Sequence, residues 1–447
     1  MTINDLGDVR PDRRLLVSVF DAREAREAVA GGARIIDSED PRSALGTIKP
    51  RHIRAVADAV ASCHRPLPVR LSTNIGEDQL LYRRTSDGQA LRKSRYETAG
   101  KSAQAACGVA MAMGTHVSDT NIVKVGLDGM RPDETREVLQ EIVATLRESG
   151  SYTTTRVMAV FFAQDLDLWE ARRSLEPVRR ELLALGEYHP ALPDASDVPD
   201  DSDAFDLADH ADALATEAGQ PLFASGDHPG PDVLVKAGAL PDGVRTTRVV
   251  LNDLFRHGDH GWTTARRTDR EAVVRMVDTA AAAGAHGIML DTSILLKAAR
   301  VSLVSTADSE LVDTNAADLS RHGLPRVGLL GLEELRFFTD YAHHRGLEAN
   351  LAGSVQSHQA QQLWHHLPDL DQLSARGSVA APDRDPLTGT RIAAGRHQRV
   401  VSRHLVVGCV PPEHGGAFVL PPGLPERDGE LLTALGKRYP DTPLRRR

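Results

Sequence analysis

Eight short strand-like runs recur along the chain, at residues 15–20, 33–37, 67–72, 121–127, 156–163, 287–291, 347–354 and 372–378. Most are four to eight residues or so of aliphatic character, the length of a buried parallel strand, and the last is more polar. Between most of them lie segments with helical spacing, at 21–30, 49–62, 98–113, 132–148, 270–283 and 332–345. Asp21 and Glu24 have capping-box spacing at the start of the first helix, Gly31-Gly32 closes it, and Pro132 suits the first turn of the fourth. Strands that alternate with helices predict a parallel sheet, and eight of them predict a (β/α)8 TIM-type barrel, an α/β fold. The alternative is a doubly wound open sheet, but no glycine fingerprint for a dinucleotide follows the first strand.

The rhythm breaks twice. Residues 166–266 read as an insertion after the fifth strand, and 194–212 carry eight aspartates without a lysine or arginine. A shorter insertion fills about 298–326, and the polar stretch 74–95 reads as a loop over the barrel mouth. The expected organisation is therefore a barrel from 14–165 and 267–400, an insertion at 166–266 and a C-terminal extension at 401–447.

Composition narrows the function without choosing it. At 447 residues, 41% hydrophobic and 26% charged, the chain is expected to be globular. A net charge of −9 argues against nucleic acid or an acidic membrane surface as partner. No apolar run approaches the ~20 residues a membrane helix needs, and the N-terminus lacks a signal-peptide core, so a cytoplasmic protein is expected. Three dispersed cysteines fit reduced thiols. A homo-oligomer is left open.

The chemistry is expected where barrel strands end. Asp37, Glu39, Lys124, Asp165 and Asp291 all fall at or near strand C-termini, which converge on one mouth. Lys124 sits inside an apolar run, and a buried ammonium needs a carboxylate, with Asp37 and Asp291 as candidates. Gly353-Ser354 and Gly377-Ser378 close the last two strands, where barrel loops often present N–H groups to a phosphate; Arg376 either supports that site or pairs with a core acid. Three motifs are set aside. Gly100-Lys101-Ser102 looks like the end of a P-loop but lacks its first glycine, with Arg95 in that place. His257, Asp259 and His260 with Asp227 and His228 lack the spacing of a helical metal site. The histidine pairs at 343–344 and 365–366 suit helix C-termini.

These segments, in this order, resemble the (5-formylfuran-3-yl)methyl phosphate synthases of methanofuran biosynthesis. The resemblance rests on Leu15 to Ser18, on Gly31-Gly32-Ala33 leading to Ile36-Asp37-Ser38-Glu39-Asp40-Pro41, and on Val123 to Leu127. It continues in Met289 to Thr292, Leu351 to Ser354 and Ala375-Arg376-Gly377, so that it spans 14–165 and 267–380. It implies a barrel enzyme that condenses two molecules of glyceraldehyde 3-phosphate into a furan, with loss of phosphate and water. The family's Schiff-base lysine corresponds to Glu39, which cannot form an imine. A second family lysine corresponds to Leu295, with Lys297 two residues further on. Asp37, Lys124 and Asp291 match.

Three readings follow. One is a lyase or synthase acting on a small phosphorylated carbonyl compound, with Lys124 or Lys297 as amine or the carboxylates as acid–base groups. A second is a barrel lyase or isomerase in which Asp37, Glu39 and Asp291 hold a divalent metal ion, the one cofactor the residues suggest. The third is a non-catalytic barrel that binds a phosphorylated ligand. The first is favoured, because three of the family's charged positions persist.

Overall fold

The computed structural model describes residues 12–40, 47–64, 67–76, 82–84, 90–92, 94–114, 117, 120–127, 130, 132–151, 154–163, 269–292, 301–304, 311, 327–382, 399–419 and 427–445. Asp165, Lys297, the 166–266 insertion and the histidines of residues 228–260 lie outside the described residues.

Eight parallel strands close into a barrel: β1 (Arg14–Val19), β2 (Ile35–Ser38), β3 (Arg70–Asn74), β4 (Asn121–Gly126), β5 (Thr155–Phe162), β6 (Gly287–Asp291), β7 (Glu348–Leu351) and β8 (Gln372–Ala375). Their order around the barrel is their order in the chain, and β8 pairs β1 with Arg14 opposite Gln372. All eight correspond to the strand-like runs of the sequence, and closure removes the exposed sheet edges an open fold would leave. Helices α1 (Ala22–Ala30), α2 (Pro50–Ser62), α3 (Arg95–Met113), α4 (Pro132–Glu148), α5 (Asp269–Ala282), α6 (Leu332–His344) and α7 (Ser357–His366) intervene.

Strand alternation sorts residues to two cores. Leu15, Val17, Ile36, Val123, Val157, Ile288 and Ala349 face the helices in the larger one. Leu16, Ile35, Ile122, Met158, Val160, Phe162, Met289 and Ala352 fill the barrel interior. Full burial of one such side chain contributes roughly 1.5–3 kcal/mol, and together they make a dry plug between the two mouths.

Local signals act as their residue types require. Asp21 caps α1 by accepting the Glu24 N–H at 2.9 Å. Glu24 does not complete a capping box; its carboxylate accepts the Phe20 N–H at 2.7 Å and is drawn to Arg376. Lys101 and Ser102 lie within α3, where Lys101 pairs with Glu97 and the Ser102 hydroxyl donates to the Thr98 carbonyl. They form no phosphate loop.

Residues 399–419 pack on the barrel. Val401, Leu405, Val406, Cys409 and Val410 join the larger core, and Gln361 donates to the carbonyls of Gly408 and Val410. The described part of the 74–95 stretch forms an antiparallel pair, Tyr82–Arg84 with Ala90–Arg92. Residues Val301–Val304 and Val327–Leu330 form a small parallel pair outside the barrel.

Candidate active site

The parity that sends Leu16, Ile35 and Ile122 inward also sends Ser18, Asp37 and Lys124 inward, one step nearer the C-terminal mouth. Asp37 lies opposite Ser18 on β1 and opposite Ser72 on β3, and Asn74 lies opposite Lys124. Glu39 follows β2 immediately, and its N–H is held by the Val19 carbonyl at 3.0 Å. Three charged groups from β2 and β4 thus meet without any long-range loop.

Lys124 Nζ donates to Asp37 Oδ2 at 2.6 Å and to Glu39 Oε2 at 2.9 Å. The Ser18 hydroxyl lies 3.1 Å from Asp37 Oδ2 and 3.0 Å from Glu39 Oε2. All three charged side chains are buried. Burying a lone ammonium would cost several kcal/mol, so the carboxyl groups are a condition of Lys124 being there at all. Two acids and one cation leave one negative charge in excess if all are ionised, and low dielectric makes that excess expensive.

The titration of the cluster follows from this arithmetic. Burial pushes Glu39 upward and the negative charge of Asp37 adds to it, so its carboxyl stands well above the usual glutamate range despite Lys124. Burial also opposes ionisation of Asp37, but the Lys124 charge and hydrogen bonds outweigh it and leave Asp37 below its ordinary value. Burial would discharge Lys124; the two acids reverse this and raise it above the usual lysine value. Lys124 and Asp37 are thus shifted toward their charged forms, and Glu39 is the acid whose protonated form the cluster favours.

Asp291 is buried at the end of β6 and shares inward parity with Met289; its Oδ1 accepts the Thr292 N–H at 2.7 Å. Asp37, Glu39, Lys124 and Asp291 therefore lie on the inner wall, with Lys124 paired to Asp37 and to Glu39. Among the described residues no three His, Cys, Asp or Glu side chains come together as a metal site would need. Between Asp37 and Glu39 stands the Lys124 ammonium, which occupies the place of a cation.

The last two loops differ from each other. Gly353 and Ser354 both adopt left-handed backbone, φ 99° and 57°, and a Cβ on Gly353 would stand 2.9 Å from Thr292 Oγ1. A non-glycine residue in this region stores on the order of 1 kcal/mol or more, and the turn lies beside the end of β6. Gly377 and Ser378 form a short 3-10 turn in which Ser378 Oγ is 3.8 Å from Cys409 Sγ. Arg376 donates to the Ser18 carbonyl at 3.1 Å and to Glu24 at 2.7 Å. Glu24 also accepts the Val401 N–H at 3.1 Å. Arg376 thus takes the core-acid pairing and ties α1 to the C-terminal segment.

Ser18, Ser72 and Asn74 are further polar residues of this wall that the sequence reading did not single out as site residues. Their signal was period-2 parity with Asp37 and Lys124 across neighbouring strands.

The closed parallel barrel with helices between its strands is a TIM-type barrel, and the buried cluster of Asp37, Glu39 and Lys124 lies toward the C-terminal ends of its strands. Over residues 15–179 the chain matches the 4-HFC-P synthase family, the family its motifs resemble. The match takes in β1 to β5 and with them Asp37, Glu39 and Lys124. No curated protein matches the chain. Solved structures align at low identity. N-(5'-phosphoribosyl)anthranilate isomerase from Pyrococcus furiosus is 8% identical, over 90% of this chain and 98% of that one, with a TM-score of 0.30. A 2,3-dimethylmalate lyase of the PEP mutase/isocitrate lyase superfamily is 15% identical, over 55% and 84%, with a TM-score of 0.21. Likenesses this weak carry no argument about function, and the fold rests on the strand pairing itself.

Proposed function

We propose that the protein is a lyase or synthase acting on a small phosphorylated carbonyl compound, by acid–base chemistry rather than through an imine. The observation that supports this reading is the Lys124 ammonium held by Asp37 at 2.6 Å and Glu39 at 2.9 Å. An amine attacks a carbonyl only when deprotonated, and both acids favour its charged form. Glu39 stands where the family has its nucleophilic lysine, so neither position offers a free amine.

In this reading each group has one task. Asp37, as carboxylate, keeps Lys124 charged. Lys124 stabilises negative charge that develops on the substrate oxygen when a proton leaves the neighbouring carbon. Glu39, which keeps its proton, protonates the departing oxygen. Asp291, the further buried carboxyl group on the inner wall, receives the carbon-bound proton. The substrate phosphate binds at the Gly353-Ser354 turn, with Gly377-Ser378 beside it, as expected of the last two loops of a barrel.

Glu39→Gln tests the reading. With glyceraldehyde 3-phosphate, alone or mixed with dihydroxyacetone phosphate, turnover should be abolished while the circular dichroism spectrum stays native. Borohydride added during wild-type turnover should leave the protein mass unchanged. A fully active Glu39→Gln enzyme, or a reduced adduct on Lys124 or Lys297, would overturn the acid–base reading.

A further inference from the structure

Asn74 ends β3 directly opposite Lys124 on β4, on the inward face it shares with Ser72. Its side chain is 1% exposed. The amide is oriented by its own turn: Asn74 Oδ1 accepts the Gly76 N–H at 3.2 Å, which leaves Nδ2 on the other side. The turn is itself fastened to β4. The Ile75 N–H donates to the Lys124 carbonyl at 3.2 Å, and the Gly126 N–H donates to the Gly76 carbonyl at 3.3 Å. Gly76 adopts φ 99°, left-handed backbone that a glycine takes without strain, so the turn that presents its N–H to Asn74 suits this residue.

Thus held, Asn74 Nδ2 is buried and makes no hydrogen bond among the described residues. An unpaired buried amide donor costs about 1–3 kcal/mol. Its register partner Lys124 carries an ammonium with three N–H donors, of which Asp37 and Glu39 take two. A ligand oxygen that reached both side chains would meet one neutral and one charged donor from adjacent strands.

We propose that Asn74 is the second hydrogen-bond donor to the substrate's carbonyl oxygen, acting with Lys124 as charge develops there. This rests on the acid–base reading above and sharpens it. The ligand is a compound whose carbonyl oxygen becomes an enolate or alkoxide oxygen, and the two donors select that oxygen over a hydroxyl. A fixed neutral donor strengthens its bond as the oxygen gains charge and needs no proton transfer to do so.

The test compares two ligands by calorimetry: phosphoglycolohydroxamate, which mimics a phosphorylated enediolate, and glycerol 3-phosphate, which has a hydroxyl in place of the carbonyl. Asn74→Ala removes the donor, and Asn74→Asp removes it while keeping the oxygen that caps Gly76. Effects of folding act on both ligands and cancel in the ratio of affinities, and Asn74→Ala, which adds no charge, decides the outcome. In either folded variant the preference for the mimic should fall by about 10²-fold, the size seen when one such donor is removed. An unchanged preference in a folded variant, with wild type binding the mimic, would overturn the role of Asn74 and leave the acid–base reading standing. Failure of wild type to bind either compound would overturn both.

Discussion

The two mouths of the barrel carry inverse charge clusters, and they differ in how completely they are paired. At the N-terminal mouth one carboxylate, Glu348, is met by Arg156 at 2.7 Å, Arg70 at 3.3 Å and Arg14 at 3.7 Å, with Gln372 Nε2 donating at 2.6 Å. Gln372 in turn accepts from Asn350, and Asn350 accepts from Ser374. None of Glu348, Gln372 and Asn350 leaves a buried polar atom without a partner. At the C-terminal mouth one ammonium is met by two acids, and nearby Asp37 Oδ1 and Asn74 Nδ2 make no geometrically sound hydrogen bond among the described residues. The apolar plug of Leu16, Ile35, Ile122 and Met158 separates the two. A saturated network holds a fold together, whereas an unsaturated one retains capacity for a ligand.

The comparison breaks most visibly at Lys124. Lys124→Met should abolish turnover and leave Asp37 and Glu39 buried without their cation, for a loss of about 3 kcal/mol in urea unfolding. Retained activity in this variant would remove the C-terminal cluster from the chemistry. Glu348→Gln is its counterpart at the other end. Three guanidinium groups would lose their shared anion, but they are partly solvated, so the loss should be about 1 kcal/mol. Turnover per folded molecule should be unchanged; a fall in kcat would show that the two ends are coupled through the plug.

The pH dependence sharpens the contrast further. Glu39 holds its proton more tightly in the folded than in the unfolded chain, so the folded state binds more protons and wild type loses stability as pH rises above 4.5. Glu39→Gln lacks this dependence, so its stability relative to wild type should grow across that rise, measured as the difference in urea midpoints. Turnover should also fall as Glu39 loses its proton. A constant difference in midpoint would mean Glu39 is ionised throughout. The smallest effect is expected at Lys101, exposed on α3 and paired with Glu97 one turn away. Lys101→Ala should change stability by a few tenths of a kcal/mol and phosphate affinity not at all; weakened phosphate binding would restore the P-loop-like motif as a site.

Much of the barrel was legible because most of its strands are apolar runs that alternate with helices, while β3 (Arg70–Asn74) and β8 (Gln372–Ala375), which are largely polar, showed mainly through their place in that alternation. Asp37, Glu39 and Lys124 were legible for the same reason: charge inside or at the end of an apolar strand must be paired or functional. What the sequence did not carry is register. Nothing in the composition says that Asn74 stands opposite Lys124, or that the Ser18 hydroxyl bridges Asp37 and Glu39, because both depend on which residues of neighbouring strands align. Arg376 shows the converse difficulty. Its place after the last strand suited a phosphate site, but its nearest acid comes from α1, 352 residues earlier in the chain. The same holds for residues 399–419, which read as an extension yet contribute Val401, Val406 and Val410 to the main core.

The central claim is that Lys124 remains an ammonium between Asp37 and Glu39. Its protonation state can be read directly from the side-chain 13Cε and 15Nζ signals of lysine-labelled protein, with Lys124 assigned by its absence in Lys124→Arg. The account predicts no titration of that signal up to about pH 10, near the ordinary lysine value. A midpoint near neutrality would make Lys124 an available amine and contradict the account.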